Sequence, residues 1–146
     1  MNPRQPDIQV AQRRLRALAD AVDDLGRLRD IDAAGLRSDP ILRAATERLL
    51  QVAVDLAVDI NAHLASVALG RAPSTGRESF LAAAEAGILP ADLAERLAPS
   101  AGLRNVLVHR YVDIDVDVVA GAIGEILELM PLYVDAVGRF LQSASD

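Results

Sequence analysis

The chain has 146 residues, is 51% hydrophobic but only 3% aromatic, holds no cysteine and carries a formal net charge of -6. That length is the size of one domain with a real core, and a core made of Ala, Leu, Val and Ile suits helix-on-helix packing. The missing cysteines exclude disulfides and thiolate chemistry, and the acidic balance excludes a broadly basic nucleic-acid surface while leaving room for a small local site.

Every one of the 15 basic residues is arginine, so a phosphate contact here would be made by a guanidinium fork. The opening MNPRQPDIQV lacks the charged-then-apolar order of a signal peptide. No uninterrupted apolar run reaches the roughly 18 residues of a membrane span. The expectation is a cytoplasmic protein with no membrane segment.

In chain order, Ile8, Ala11, Leu15, Leu18, Val22 and Leu25 step by three and four, which predicts a first long helix. A break follows near Gly35. Ser38 or Asp39 can cap the next helix, with Pro40 in its first position. Its stripe is Leu42, Ala45, Leu49, Val52, Leu56, Ile60, Leu64 and Val67, ending at Gly70. RAPSTGRES reads as a loop, Phe80 to Ala86 as a short helix stopped by Gly87, and Pro90 opens another short helix through Leu93 and Leu97. Pro99 interrupts that helix, and Ser100 is placed to cap a renewed turn through Leu103, Leu107 and Val108.

Beyond Tyr111, Val112, Ile114, Val116 and Val118 alternate with Asp113, Asp115 and Asp117. With no partner strand elsewhere, this reads as an extended connector whose aspartates are solvated or cap the last helix. That helix carries Val119, Ile123, Ile126, Leu127, Met130, Tyr133, Val134, Val137 and Phe140, and Pro131 should kink it or displace a backbone hydrogen bond. The expectation is an all-α single domain over residues 1–146: an antiparallel bundle of about five helices.

The segment RNVLVHRYVDID, Arg104 to Asp115, gathers one of the 2 histidines and one of the 2 tyrosines just after an Arg-Asn pair. On a continuous helix Arg104 and His109 would lie about 140° apart. A helix ending near Val108 would let His109 swing back toward Arg104, and extended chain beyond it would put Tyr111 on the same side. The three groups suit phosphodiester chemistry. Arginine clamps a phosphate with two hydrogen bonds, histidine moves protons near neutrality, and RNA brings its own nucleophile in the 2′-hydroxyl. Such a site needs no metal and no cofactor, and Asn105 could hold the imidazole or a phosphate oxygen. The bland alternative is that His109 and Arg110 complement a helix C-terminus and Tyr111 is a core residue.

The same segment resembles the Arg, polar, three residues, His, any residue, Tyr signature of HepT-like toxins in the HEPN ribonuclease superfamily, with Arg104, Asn105, His109 and Tyr111 at the matching positions. ESFLAAAEAGILPADLAERLAPSAGLRNVLVH resembles the family's central region, and VDLAVDINAH its second-helix segment, so the likeness runs from about Leu49 to Phe140. Pro99 departs from the pattern. The resemblance implies a dimerising bundle whose Arg-His motifs line a shared cleft, and a metal-independent endoribonuclease toxin with Arg104 and His109 as catalytic residues. It also implies a cognate nucleotidyltransferase antitoxin of the MntA type, which silences the toxin by moving AMP from ATP to the motif tyrosine, here Tyr111. A non-catalytic accessory subunit paired with a nucleotidyltransferase is the alternative function.

Asp55, Asp59 and His63 recur every four residues and share one helical face. Two carboxylates and one imidazole on a single helix make a poor metal cage. The readings kept are a polar stripe, hydrogen bonds to arginines, or a supporting role in which Asp59 or His63 orients Arg104, and the resemblance favours the last.

Overall fold

The computed structural model describes residues 5–109 and 115–146, with Val108 and His109 described by their backbone alone. The described residues form α-helices and one 3-10 turn, with no strand among them. Helix α1 spans Ile8–Gly26 and opens on Asp7, whose side chain accepts from the Val10 amide. Asp39 caps α3, Pro40–Leu69, by accepting from the Leu42 amide, with Pro40 in the first turn. Gly70 ends α3 at φ +71°, a left-handed conformation that glycine adopts without strain.

Between them, the expected break at Gly35 is instead a short helix α2, Ala33–Ser38. Asp32 caps it through the Gly35 amide, and Leu36, fully buried, docks it on the bundle. Local composition argued for a loop; one leucine reaching the core decided otherwise.

Helix α4, Gly76–Glu85, begins four residues before the predicted Phe80, because Thr75 caps the Glu78 amide while Glu78 turns back to the Ser74 amide. Helix α5 spans Ala91–Leu97, the 3-10 turn Ala98–Gly102, and α6 Leu103–His109. Ser100 does not cap a new helix: its hydroxyl donates back to the Leu97 carbonyl, and Pro99 opens a 3-10 turn that feeds straight into α6.

Helix α7, Val116–Ser145, opens on Asp115, which accepts from the Asp117 amide, and it runs without interruption through Pro131. Asp113 lies outside the described residues. Asp117 faces solvent and pairs with Arg37 of α2 at 3.3 Å.

The Asp7 amide reaches His63 near the far end of α3, so α1 runs antiparallel to α3. Helix α2 follows α1 and touches the starts of both α3 and α7, while Leu15 of α1 lies against Gly138 late in α7. Helix α1 is therefore antiparallel to both long helices. Helix α4 packs on α3 and on the 3-10 turn, and α6 packs on α3 and the same turn.

The second half of the predicted stripe holds and the first half is rotated. Ile60 and Leu64 are buried as expected, but in the first half Leu50, Ala53 and Ala57 are buried instead, while Leu42, Leu49, Val52 and Leu56 are half-buried and Ala45 is exposed. Helix α3 is apolar nearly all round, so periodicity does not set its phase. Long and apolar as it is (mean hydropathy 1.5 over an 18-residue window), it is the core helix of the bundle, covered by α1, α4 and α7, and its outer face carries Arg48, Asp55 and Asp59.

A small polar cluster sits in the centre. Tyr133 of α7 is fully buried, and its hydroxyl bonds the Ala57 carbonyl at 3.0 Å and Asn61 Oδ1 at 2.8 Å. Asn61 in turn donates to Ser79 of α4 at 3.4 Å. Helices α7, α3 and α4 are thus registered by one hydrogen-bonded chain.

Candidate active site

Arg104 is the second residue of α6 and His109 the last. The macrodipole offers no stabilisation to a cation in a helix's first turn, so capping does not account for Arg104. The helix ends at His109, one residue past the end expected near Val108. Positions 104 and 109 therefore lie on faces about 140° apart within one chain. The swing of the His109 side chain toward Arg104 expected from the sequence lies outside the described residues. Tyr111 and Arg110 lie outside the described residues.

The Arg104 guanidinium reaches across to α3, where its Nε lies 3.5 Å from Asp55 Oδ1. Its side chain remains 63% exposed. Among the described residues Asp55 is its one ion-pair partner. The contact is made through Nε, on a side edge of the guanidinium, and a guanidinium this exposed can offer its remaining donors to phosphate oxygens. Asn105 is exposed next to it.

The supporting residues divide differently from expectation. Asp55, not Asp59 or His63, meets Arg104. Asp59 is exposed, with no ion pair among the described residues. His63 Nε2 accepts from the Asp7 amide at 2.9 Å and so ties the start of α1 to α3. Each four-residue step advances about 40° around a helix, so the row Asp55, Asp59, His63 crosses the outer face of α3 obliquely, from α6 to α1. With one end bound to a guanidinium and the other to an amide, the row does not converge on an ion, and among the described residues no group of three ligating side chains does.

Leu103 and Val106 of α6, with Pro99, line an apolar groove of about 400 Å³ against Val118, Ala122 and Ile126 of α7. Val118 is 45% exposed at its edge. The candidate site thus stands on a short helix with an exposed cation on one face and an apolar groove on another.

The described residues thus form an all-helical bundle that carries Arg104 and His109 on one short helix. The chain is a member of the HepT-like ribonuclease family, whose family model matches residues 18–140, and it is an enzyme of the ribonuclease class. It is 36% identical over 132 residues to a tRNA nuclease HepT of Aphanizomenon flos-aquae, covering 90% of each chain. It is 26% identical over 106 residues to an mRNA nuclease HepT of Shewanella oneidensis, covering 73% of this chain and 80% of the relative. A structure of the tri-AMPylated Shewanella oneidensis HEPN toxin in complex with MNT antitoxin has the same fold, with TM-score 0.77 over 92% of this chain and 99% of that chain at 21% identity.

Proposed function

We propose that this chain is the toxin of a toxin–antitoxin pair: a cytoplasmic, metal-independent endoribonuclease that a cognate MntA-type nucleotidyltransferase silences by AMPylating Tyr111. The observation that carries the catalytic part is the exposed guanidinium of Arg104 on a helix that closes with His109. In the reaction the ribose 2′-oxygen attacks the adjacent phosphorus and the 5′-oxygen leaves, giving a 2′,3′-cyclic phosphate. Arg104 holds the non-bridging oxygens as charge builds on them. His109 takes the 2′-hydroxyl proton or returns one to the leaving oxygen. Asn105 steadies a phosphate oxygen or the imidazole.

Because positions 104 and 109 diverge within one chain, a phosphate is best served by Arg104 of one copy and His109 of another. In the silenced state the tyrosine oxygen attacks the α-phosphorus of ATP, pyrophosphate leaves, and the new phosphate pairs with Arg104 in place of RNA. The AMP found on the similar Shewanella toxin in its complex with MNT antitoxin supports this reading.

Subunit mixing tests the shared site. Arg104→Ala and His109→Ala are each inactive alone. Co-expressed with different tags and purified as the mixed dimer, they regain about half of wild-type turnover, because one of the two composite sites is whole. A mixed dimer as inactive as its parents refutes a site shared between copies.

A further inference from the structure

We propose that Asp55 is the positioning residue for Arg104: it fixes the guanidinium by its Nε edge and so aims the end edge at the scissile phosphate. This rests on the nuclease reading above and adds a residue to it. Helix α6 has only seven residues, and its neighbours are α3 and the 3-10 turn. A helix that short does not hold its shape alone, and an arginine in its first turn has a long, freely rotating stem. Asp55, in contrast, sits mid-way along the 30-residue α3, beside Val54, which is 1% exposed, and two residues from the fully buried Ala57. Its backbone is fixed by the core. The contact at 3.5 Å therefore ties a mobile cation to an immobile carboxylate.

The edge that is used matters. A carboxylate bridging the two Nη groups would occupy the fork that phosphate needs. Approach through Nε holds the plane of the guanidinium and leaves that fork open.

Two rival accounts of Asp55 make different forecasts. As a mere surface charge it would repel an incoming phosphate, so removing it would tighten binding and leave turnover alone. As a stabiliser of the fold it would act on melting and not on the balance of kcat and KM. Positioning instead predicts a lower kcat with no rise in KM, since misplacing a reacting group costs rate even when ground-state binding persists.

The test uses the full chain and a short RNA oligonucleotide, with kcat and KM measured for wild type, Asp55→Asn, Asp55→Glu and Arg104→Ala. Asp55→Asn is expected to keep its helicity and its KM while kcat falls roughly 10- to 100-fold, and Asp55→Glu, which keeps the carboxylate, recovers part of that loss. In an Arg104→Lys background, where no Nε edge exists, adding Asp55→Asn should change kcat by less than about twofold. A kcat for Asp55→Asn within about twofold of wild type, or an equal loss in both backgrounds, overturns the proposal. If Arg104→Ala cleaves like wild type, the nuclease site itself is misassigned; if Arg104→Ala is inactive and Asp55→Asn is normal, only the role of Asp55 falls.

Discussion

Replacing Tyr133 with Phe removes one oxygen from the centre of the bundle and nothing else. The ring stays, including its edge-on contact with Phe80 at 6.2 Å between centroids. The Ala57 carbonyl keeps its place in the hydrogen bonding of α3, but Asn61 Oδ1 loses the donor that lies 2.8 Å away. A lost hydrogen bond costs about 1 kcal/mol and a buried acceptor left without a partner about 1–3 kcal/mol, so about 2 kcal/mol is expected in all. For a domain of this size that corresponds to a fall in Tm of about 4–8 °C.

The alkaline limb gives a second readout. Burial pushes the Tyr133 phenol well above its usual value. A group whose folded pKa is raised stabilises fully below its unfolded pKa, near ~10 for a phenol, and that stability is lost as pH rises above it. Wild type should therefore lose stability more steeply above about pH 10 than Tyr133→Phe. Thermal melts followed by circular dichroism from neutral to alkaline pH measure both effects. A change in Tm below about 1 °C at neutral pH, or identical alkaline slopes, would refute the claim that this hydroxyl registers α7 on α3.

Arg104→Ala should lower kcat by about 100- to 1000-fold with helicity unchanged, and Arg104→Lys should rescue it poorly, because an ammonium cannot form the fork; single-turnover cleavage measures both. His109→Ala should lose about 100-fold or more of the rate, and wild-type cleavage should persist in EDTA; a chelator-sensitive activity contradicts the mechanism. Tyr111→Phe should remain an active nuclease that the antitoxin no longer modifies, and mass spectrometry after co-expression should find AMP on Tyr111 in the parent alone. Gly76→Ala would place a Cβ 3.0 Å from the Ala101 side chain and 3.4 Å from Val58. Overpacking there, between α3, α4 and the turn that carries α6, should cost about 1–3 kcal/mol, visible as a lower Tm.

Much of the bundle was legible because several of its ends are written in local chemistry. Asp39 caps α3 where its apolar stripe begins, and Gly70 and Gly87 follow the helices they end, at φ +71° and +78°. The caps at Asp7 and Thr75 were not read from the sequence, and α4 starts four residues earlier than expected. The phase of the first half of α3 was not legible, since a helix apolar on most sides takes its buried face from its neighbours. Helix α2 was hidden for a related reason: six residues carry too little pattern, and Leu36 holds them only once the core exists.

At the candidate site, the residues of α6 could be named from sequence, but their partner could not. Asp55, Asp59 and His63 look equivalent at a spacing of four. Only the oblique path of that row across α3 assigns Asp55 to Arg104 and His63 to the start of α1. The signal that could have singled out Asp55 was already there, because a four-residue row drifts about 40° per step and cannot face one neighbour along its whole length.

The most direct test of the central claim uses a DNA oligonucleotide with one internal ribose, incubated in EDTA with the purified chain. The account predicts a single cut at the ribose, yielding a 2′,3′-cyclic phosphate and a 5′-hydroxyl, and no cut with Arg104→Ala or His109→Ala. Cleavage at a deoxyribose linkage, a 5′-phosphate product, or undiminished cutting by either variant would contradict it.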